Sequence, residues 1–245
     1  MSSIPAGVFR ALYRTLLGAH PRFRPWQFQW LPGRILYPTL RPVLAELEGD
    51  VLDVGCGDKP YESWVPRAER YVGIDVTPGP KVNIVIRPGE PWPLPDDSFD
   101  VVLCTQVLEH VADLGAMVAQ LARVLRPGGR LVASFPFIYG EHGAPHDYWR
   151  FSRHGAERLL VRHFDVEHVL ATGGVGSSAG TLVQNWLQTA ITRTVGGRTA
   201  LVALFPLWLG ITLSVNLFGA ALDRLDRTGT CYGNVLVLAT ARVKA

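Results

Sequence analysis

Residues 50–61 read DVLDVGCGDKPY, a short apolar run that ends in two glycines one residue apart. Val51–Val54 has the length and composition of a buried strand. Gly55 and Gly57 after it allow unusual φ values and let backbone N–H groups come close to a ligand. A second run, YVGIDV (71–76), carries Asp75, 22 residues after Asp53. Strand, glycine turn, then a strand ending in an acid is the layout in which a carboxylate accepts hydrogen bonds from ribose hydroxyls. The dinucleotide pattern G-x-G-x-x-G is broken by Pro60 at its third glycine. That argues against NAD and FAD and leaves a nucleoside ligand open.

Outward from this turn, apolar runs recur at VNIVI (82–86), FDVVLCT (99–105), GRLVASFPF (129–137), DVEHVLA (165–171) and GNVLVLATARV (233–243). Helical periodicity marks residues 111–129, stopped by Pro127 and Gly128, and residues 153–164. Strands alternating with helices predict an α/β fold, a Rossmann-like, doubly wound and mostly parallel seven-stranded sheet. About 60 residues separate the sixth and last strands, far beyond the connections usual in such domains. They include a helical segment, 181–195, and a charge-free stretch, 199–222. The expected organisation is a basic, aromatic N-terminal helical cap (1–47), a nucleoside-binding core (48–171), an apolar helical insertion before the last strand (172–230) and the final strand (231–245). Within the cap, 8–18 reads as an amphipathic helix and PRFRPWQFQWLPGR (21–34) as irregular chain.

Composition narrows the function. Of 245 residues, 48% are apolar and 18% charged, against roughly 25% charged in typical soluble domains. Disorder, collagen and coiled coil are thereby excluded. The net charge of +3 conceals a segregation: residues 1–45 carry six arginines and no acid, residues 46–167 sum to −7, and residues 168–245 to +4. A nucleic-acid binder should carry its basic stripe across the main domain, so no nucleic-acid partner is expected. Cys56, Cys104 and Cys231 form no C-x-x-C pair, which suits free thiols in a reducing, cytoplasmic setting. The first 20 residues show neither the uninterrupted apolar core nor the cleavage pattern of a secretory leader. The 21 arginines against three lysines suggest GC-rich coding and a bacterial source.

VLDVGCGDKPY (51–61), YVGIDV (71–76), WPLPDDSFDVVLCTQVLEHV (92–111) and LARVLRPGGRLVASFPF (121–137), in this order, resemble the class I S-adenosylmethionine-dependent methyltransferases. The resemblance runs from about residue 48 to 170, with the last strand as its continuation. One subgroup shares the G-C-G-x-K-P-Y turn and an H-x-x-P-x-D-Y-W-R-F stretch, matched by His142 to Phe151. The resemblance implies S-adenosylmethionine (SAM) as cofactor. It places Asp53, Gly55, Cys56 and Gly57 at the methionine end, Asp75 at the ribose, and Thr105, Gln106 and Val107 beside the sulfonium. The Cys56 side chain itself reads as a small buried filler. Many relatives carry an acid after the third strand, facing the adenine amine; here Ile86-Arg87-Pro88 stands there, and Arg87 cannot accept that bond.

Methyl transfer from a sulfonium is an in-line displacement, so alignment and water exclusion do most of the work. A high-pKa nucleophile such as an alcohol also needs a base. The loop FIYGEHGAPHDYWRFS (137–152) offers His142 or His146 as that base and Asp147 to orient it, with Tyr148, Trp149 and Arg150 around the acceptor. The competing reading makes Asp147 and Arg150 a structural pair capping the next helix. Two histidines four apart could hold a metal, but Gly143 and Pro145 oppose the helix that would align them, and no metal is expected. Glu109 and His110 read as packing groups at a helix start. The expected function is O-methylation of a glycan or lipid-linked acceptor. The alternatives are a lipophilic small molecule, quinone- or polyketide-like, and a non-catalytic scaffold.

At about 1.5 Å per residue, 24 uncharged residues could cross a bilayer. The chain must nevertheless return to add its last strand to the sheet. A hairpin in one leaflet, a lid and a homodimer interface therefore remain. Basic flanks together with an apolar segment provide the two signals that stable anchoring requires. Peripheral contact with the inner face of the membrane, through 199–222 and the N-terminus, is the expectation.

Overall fold

The computed structural model describes residues 6–193 and 196–243. Seven strands form one sheet: β1 (Glu48–Val54), β2 (Arg67–Asp75), β3 (Ile84–Val85), β4 (Phe99–Thr105), β5 (Leu125–Pro136), β6 (Phe164–Thr172) and β7 (Asn234–Ala241). Their spatial order is β3-β2-β1-β4-β5-β7-β6. The pairings of β1 with β2, β1 with β4, β2 with β3, and β4 with β5 are parallel, whereas β7 runs antiparallel to β5. Val51, Leu52, Val102, Leu103, Leu131, Val132 and Val235–Val237 are all buried. Unbroken apolar runs of this kind belong to strands covered on both faces. The chain leaves β1 towards β2 on one side and later adds β4 on the other. The strand order therefore reverses between β1 and β4, and ligands of open α/β sheets bind beyond the carboxyl ends at such a point.

Several elements differ from the sequence-based expectation for physical reasons. β2 begins at Arg67 rather than residue 71, because its first four residues are largely exposed and show no apolar pattern. The helix expected over 111–129 is shorter. It is α3 (Leu114–Val124), whose N-cap Asp113 accepts the Ala116 N–H at 2.9 Å. Pro127 and Gly128 lie inside β5, where the register against β4 shifts between Phe99 and Val101. The β1–β2 connection carries only a 3₁₀ turn (Glu62–Trp64) where a helix would be usual, while α4 (Arg153–Leu160) connects β5 to β6.

The chain divides into two compact units. One holds Pro38–Phe137, Glu141–Ala171 and the chain from Asn234 onward, and so contains the sheet. The other gathers the described residues up to Tyr37, Ile138–Gly140 and Thr172–Gly233. The N-terminal region and the insertion, expected as separate pieces, thus cluster together. The division falls within α2 (Trp30–Ala45), a helix that retains Pro38 and Pro42. Prolines in a helix interior remove backbone hydrogen bonds and normally argue against a helix.

The helical unit contains α1 (Ala6–Leu17), α5 (Val175–Arg193), α6 (Gly197–Ala203) and α7 (Phe205–Leu225). The charge-free 199–222 is two helices, broken at Leu204; Pro206 sits in the first turn of α7, where its missing N–H costs nothing. Leu16, Phe28, Ile191 and Leu201 form a core, with Phe9, Leu12 and Trp208 packed on it. α5 and α7 run antiparallel. Asp223 accepts the Ser177 N–H at 2.8 Å and Asp226 accepts the Val175 N–H at 3.0 Å, which satisfies free donors at the start of α5. A Cβ on Gly176 would collide with the Gly219 carbonyl, so the two helices cross in close backbone contact.

Candidate active site

The turn after β1 is tied to β2 by Gly55 N–H and Cys56 N–H, both donating to the Ile74 carbonyl at 2.8 and 3.1 Å. Gly55 has φ +68°, and a Cβ there would lie 2.5 Å from Cγ2 of Val107, in the loop after β4. The strand-order reversal thus brings together two groups that are 52 positions apart in the chain. Gly55→Ala should cost about 1–3 kcal/mol through overpacking and left-handed strain. Thermal unfolding checks this; an unchanged midpoint would mean that Val107 moves aside freely. At Gly57, φ +47°, a Cβ would meet nothing within 4 Å, so the turn opens onto free space.

Asp75 faces this opening. Its Oδ2 accepts the Gly57 N–H at 3.0 Å and its Oδ1 accepts the Thr77 N–H at 2.8 Å. One lone pair on each oxygen is left over for ribose hydroxyls. Asp53 is buried and accepts the Tyr71 hydroxyl at 2.8 Å; burial pushes its carboxyl up to about 7. Lys59 supports the turn by donating to the Tyr71 carbonyl at 3.2 Å and to Asn83 at 2.6 Å. Cys56 is buried and its thiol is pushed up to about 11, mainly by desolvation, which leaves it inert. Thr105 closes β4. Gln106, at φ +55°, donates through its side chain to Ser134 Oγ at 3.0 Å and through its backbone to Ser134 O at 2.9 Å. An acceptor pair at Asp75 beside an open glycine turn fits the adenosine of SAM. After β3, Arg87 is exposed and lies 3.6 Å from Glu90.

The loop after β5 meets the loop after β4 at Glu109. This residue sits in the 3₁₀ turn Leu108–His110, is fully buried, and neither carboxylate oxygen has a hydrogen-bond partner. Burial pushes its carboxyl up to about 7. His110 Nε2 lies 3.8 Å and His142 Nε2 3.9 Å from Glu109 Oε1. The three ligand atoms fall within 4.8 Å of one another, close enough to share a proton or a cation. The Tyr148 and Trp149 N–H groups both donate to the Glu109 carbonyl, at 2.8 and 3.2 Å, and Trp149 Nε1 donates to the Val111 carbonyl at 2.9 Å. The histidine-bearing loop is therefore fastened along the Glu109 turn.

The two candidate histidines separate. His142 stands next to Glu109, and its Nδ1 is 3.6 Å from Asp147 Oδ2, too far for a hydrogen bond. The His146 ring pairs with the Tyr148 hydroxyl at 2.9 Å, and its carbonyl lies 2.5 Å from His110 Nδ1. Asp147 and Arg150 make a two-pronged pair at 2.6 and 2.7 Å; with the His142 N–H at 2.8 Å, it holds the Asp147 carboxyl down to about 2. That pair does not cap α4, because Ser152 does, accepting the Gly155 N–H at 3.1 Å. Tyr148 and Trp149 are each about half exposed at the loop surface. Sequence reasoning read Glu109 and His110 as packing groups and did not connect them to His142, with which the structure clusters them. The one signal was a charged pair directly after a strand on the ligand side of the sheet.

Residues 52–133 match the family model of the methyltransferase domain. A protein of Mycolicibacterium smegmatis named as a probable S-adenosylmethionine-dependent methyltransferase is 37% identical over 97 residues, 36% of this chain and 38% of that one. The ubiquinone biosynthesis O-methyltransferase of Agrobacterium fabrum is 31% identical over 147 residues, 53% of this chain and 56% of that one. The matches thus span about half or less of these curated relatives. Among solved structures, the 4+2 cyclase SpnF aligns with a TM-score of 0.53 at 18% identity, over 84% of this chain and 81% of that one. Residues 52–133, set in a sheet of this order, are thus a class I S-adenosylmethionine-dependent methyltransferase domain.

Proposed function

We propose that the protein catalyses SAM-dependent O-methylation of a hydroxyl on a glycan or lipid-linked acceptor. The observation that carries this reading is the buried Glu109 carboxylate, without a hydrogen bond and 3.9 Å from His142 Nε2. Such a pair lies just past the carboxyl end of β4, next to the Val107 loop that adjoins the glycine turn. Fold alone would not suffice, since a cyclase shares it.

Bound SAM supplies an electrophilic methyl on a sulfonium. The chain's residues align the acceptor, exclude water and accept its proton. Asp147 accepts the His142 backbone N–H, while the Arg150 guanidinium, a donor only, lies 3.5 Å from His142 Nδ1; Nδ1 is thus the accepting nitrogen and the ring N–H is at Nε2, turned to Glu109. Glu109, at about 7 and sealed from solvent, is poised to receive the hydroxyl proton near neutral pH through the partly exposed histidine rings beside it. Tyr148 and Trp149, held on the Glu109 turn, offer a half-exposed aromatic surface for a sugar ring or a lipid-linked headgroup.

A lipophilic small-molecule acceptor is the second reading, favoured by the match to the ubiquinone biosynthesis enzyme. The test is transfer of labelled methyl from SAM into a cell extract partitioned between lipid and aqueous phases. Label in saponifiable or glycan-bearing lipid, or in soluble glycan, supports the first reading. Label confined to neutral quinone-like lipid supports the second. Absence of SAM binding by calorimetry would sink both in favour of a scaffold.

A further inference from the structure

The two longest helices of the helical unit are built with their polarity reversed. On α7 the buried residues include Thr212, Asn216 and Gly219, and on α5 they include Ser177, Thr181 and Gln184. Gln184 Nε2 donates to the Thr212 carbonyl and to Asn216 Oδ1, each at 3.1 Å, and Asn216 Nδ2 donates to the carbonyls of Pro25 and Gln27 at 2.7 and 2.8 Å. The large apolar side chains face outward instead: Leu182, Val183 and Trp186 on α5, and Leu207, Leu217 and Phe218 on α7, with Trp186 and Phe218 each 68% exposed and only Thr189 and Ser214 as uncharged polar residues exposed among them. Only 17% of the most apolar 18-residue stretch of α7 is buried, at a mean hydropathy of 1.6. A core helix of a water-soluble domain shows the opposite arrangement. Small and polar residues between helices, with apolar residues outside, is how helices pack in lipid.

We propose that the α5/α7 hairpin of this unit docks on the surface of a bilayer rich in anionic phospholipid, lying in the interface with its exposed apolar stripes among the acyl chains. Charge selects this occupant over a second copy of the chain. The unit carries nine arginines (among them Arg10, Arg14, Arg193, Arg198, Arg224 and Arg227) and two acids, Asp223 and Asp226. Both acids are spent inside the unit, Asp223 on Arg34 and Ser177, Asp226 on Val175 and Thr228. Two such surfaces brought face to face would repel, whereas a negative leaflet attracts basic residues flanking an apolar helix. The position of the charges sets the orientation. Arg193 and Arg198 stand at one end of the hairpin and Arg224 and Arg227 at the other. Both ends reach the headgroups of one leaflet if the helices lie in the plane of the interface; end-on insertion into one leaflet would bury one arginine pair in hydrocarbon, and a full crossing would carry that pair through it to the far face.

The proposal is independent of the acceptor assignment and is tested on the full chain by vesicle flotation. Vesicles of phosphatidylglycerol and phosphatidylcholine in equal parts should carry the protein to the top of the gradient at low salt. Pure phosphatidylcholine should carry at least tenfold less, and 0.5 M salt should release most of it. Trp186→Glu combined with Phe218→Glu should lower flotation at least tenfold while SAM binding by calorimetry stays unchanged, since both side chains point to solvent. The proposal is overturned by wild-type protein that stays at the bottom with anionic vesicles, or by flotation indifferent to the double substitution. It is equally overturned by light scattering that shows a wild-type dimer converted to monomer by that substitution, for then a second copy covers the face.

Discussion

Glu109→Gln should lower kcat by about 10²–10⁴, the range a positioned general base contributes, while SAM affinity stays within about threefold. In wild-type protein kcat/KM should fall as pH drops below about 7, where the buried carboxyl takes up a proton and loses its capacity to accept one. The same residue has a stability signature that reports its raised carboxyl, whatever its part in turnover. Folded, Glu109 titrates at about 7; unfolded, it returns to about 4.3. Between those values the folded state holds the extra proton, so its stability is full below about 4.3 and declines as pH rises towards 7. The decline is on the order of 3 kcal/mol. Glutamine cannot ionise and removes this slope. Denaturant curves at pH 4.5 and pH 8 should thus show the variant gaining about 3 kcal/mol relative to wild type at the higher pH. Asp53, raised like Glu109, and Asp147, lowered, add their own slopes, but these cancel in the comparison. Parallel curves for the two proteins, with kcat unchanged, would remove Glu109 from the chemistry.

The contrast between Glu109 and the glycine turn shows what a sequence carries locally. Asp53, Gly55, Gly57 and Asp75 are legible because each marks the end of an apolar run, and a parallel sheet turns run order into spatial order. Val107 lies against Gly55 for the same reason, once β1 and β4 are neighbours. Glu109 gains its character from residues that no local pattern connects to it: His142, 33 positions on, and the Tyr148–Trp149 backbone that seals the turn. Desolvation is a property of the assembled fold, so a carboxylate shifted by burial leaves no mark in its own neighbourhood of sequence. Pro38 and Pro42 hid α2 by a different route, since tertiary packing overrides their local preference. Pro127 and Gly128 misled in the opposite sense. They do stop α3, but the chain goes straight into β5 without a loop. In the insertion, absence of charge was plain, yet only burial shows that the polar residues are on the inside and the leucines outside.

Asp75→Ala should weaken SAM binding by about 10²-fold, measured by calorimetry. The ribose hydroxyls would lose charge-assisted acceptors worth about 1.5–3 kcal/mol each, and about 2.7 kcal/mol corresponds to a hundredfold in dissociation constant. The turn is affected as well, because Asp75 also accepts the Gly57 and Thr77 N–H groups. Asp75→Asn separates these contributions poorly: an amide there turns a donor towards one of those two N–H groups, so this variant should bind nearly as weakly as Asp75→Ala. The discriminating comparison is therefore with ligands. Against wild type, a SAM analogue lacking both ribose hydroxyls should bind about as weakly as SAM binds Asp75→Ala. Against Asp75→Ala, losing those hydroxyls should cost little more, since their partner is already gone. Full additivity of the two losses would place the ribose elsewhere. Unchanged SAM affinity in Asp75→Ala would remove the nucleoside from the β1–β2 turn altogether, and with it the reason for the open space above Gly57.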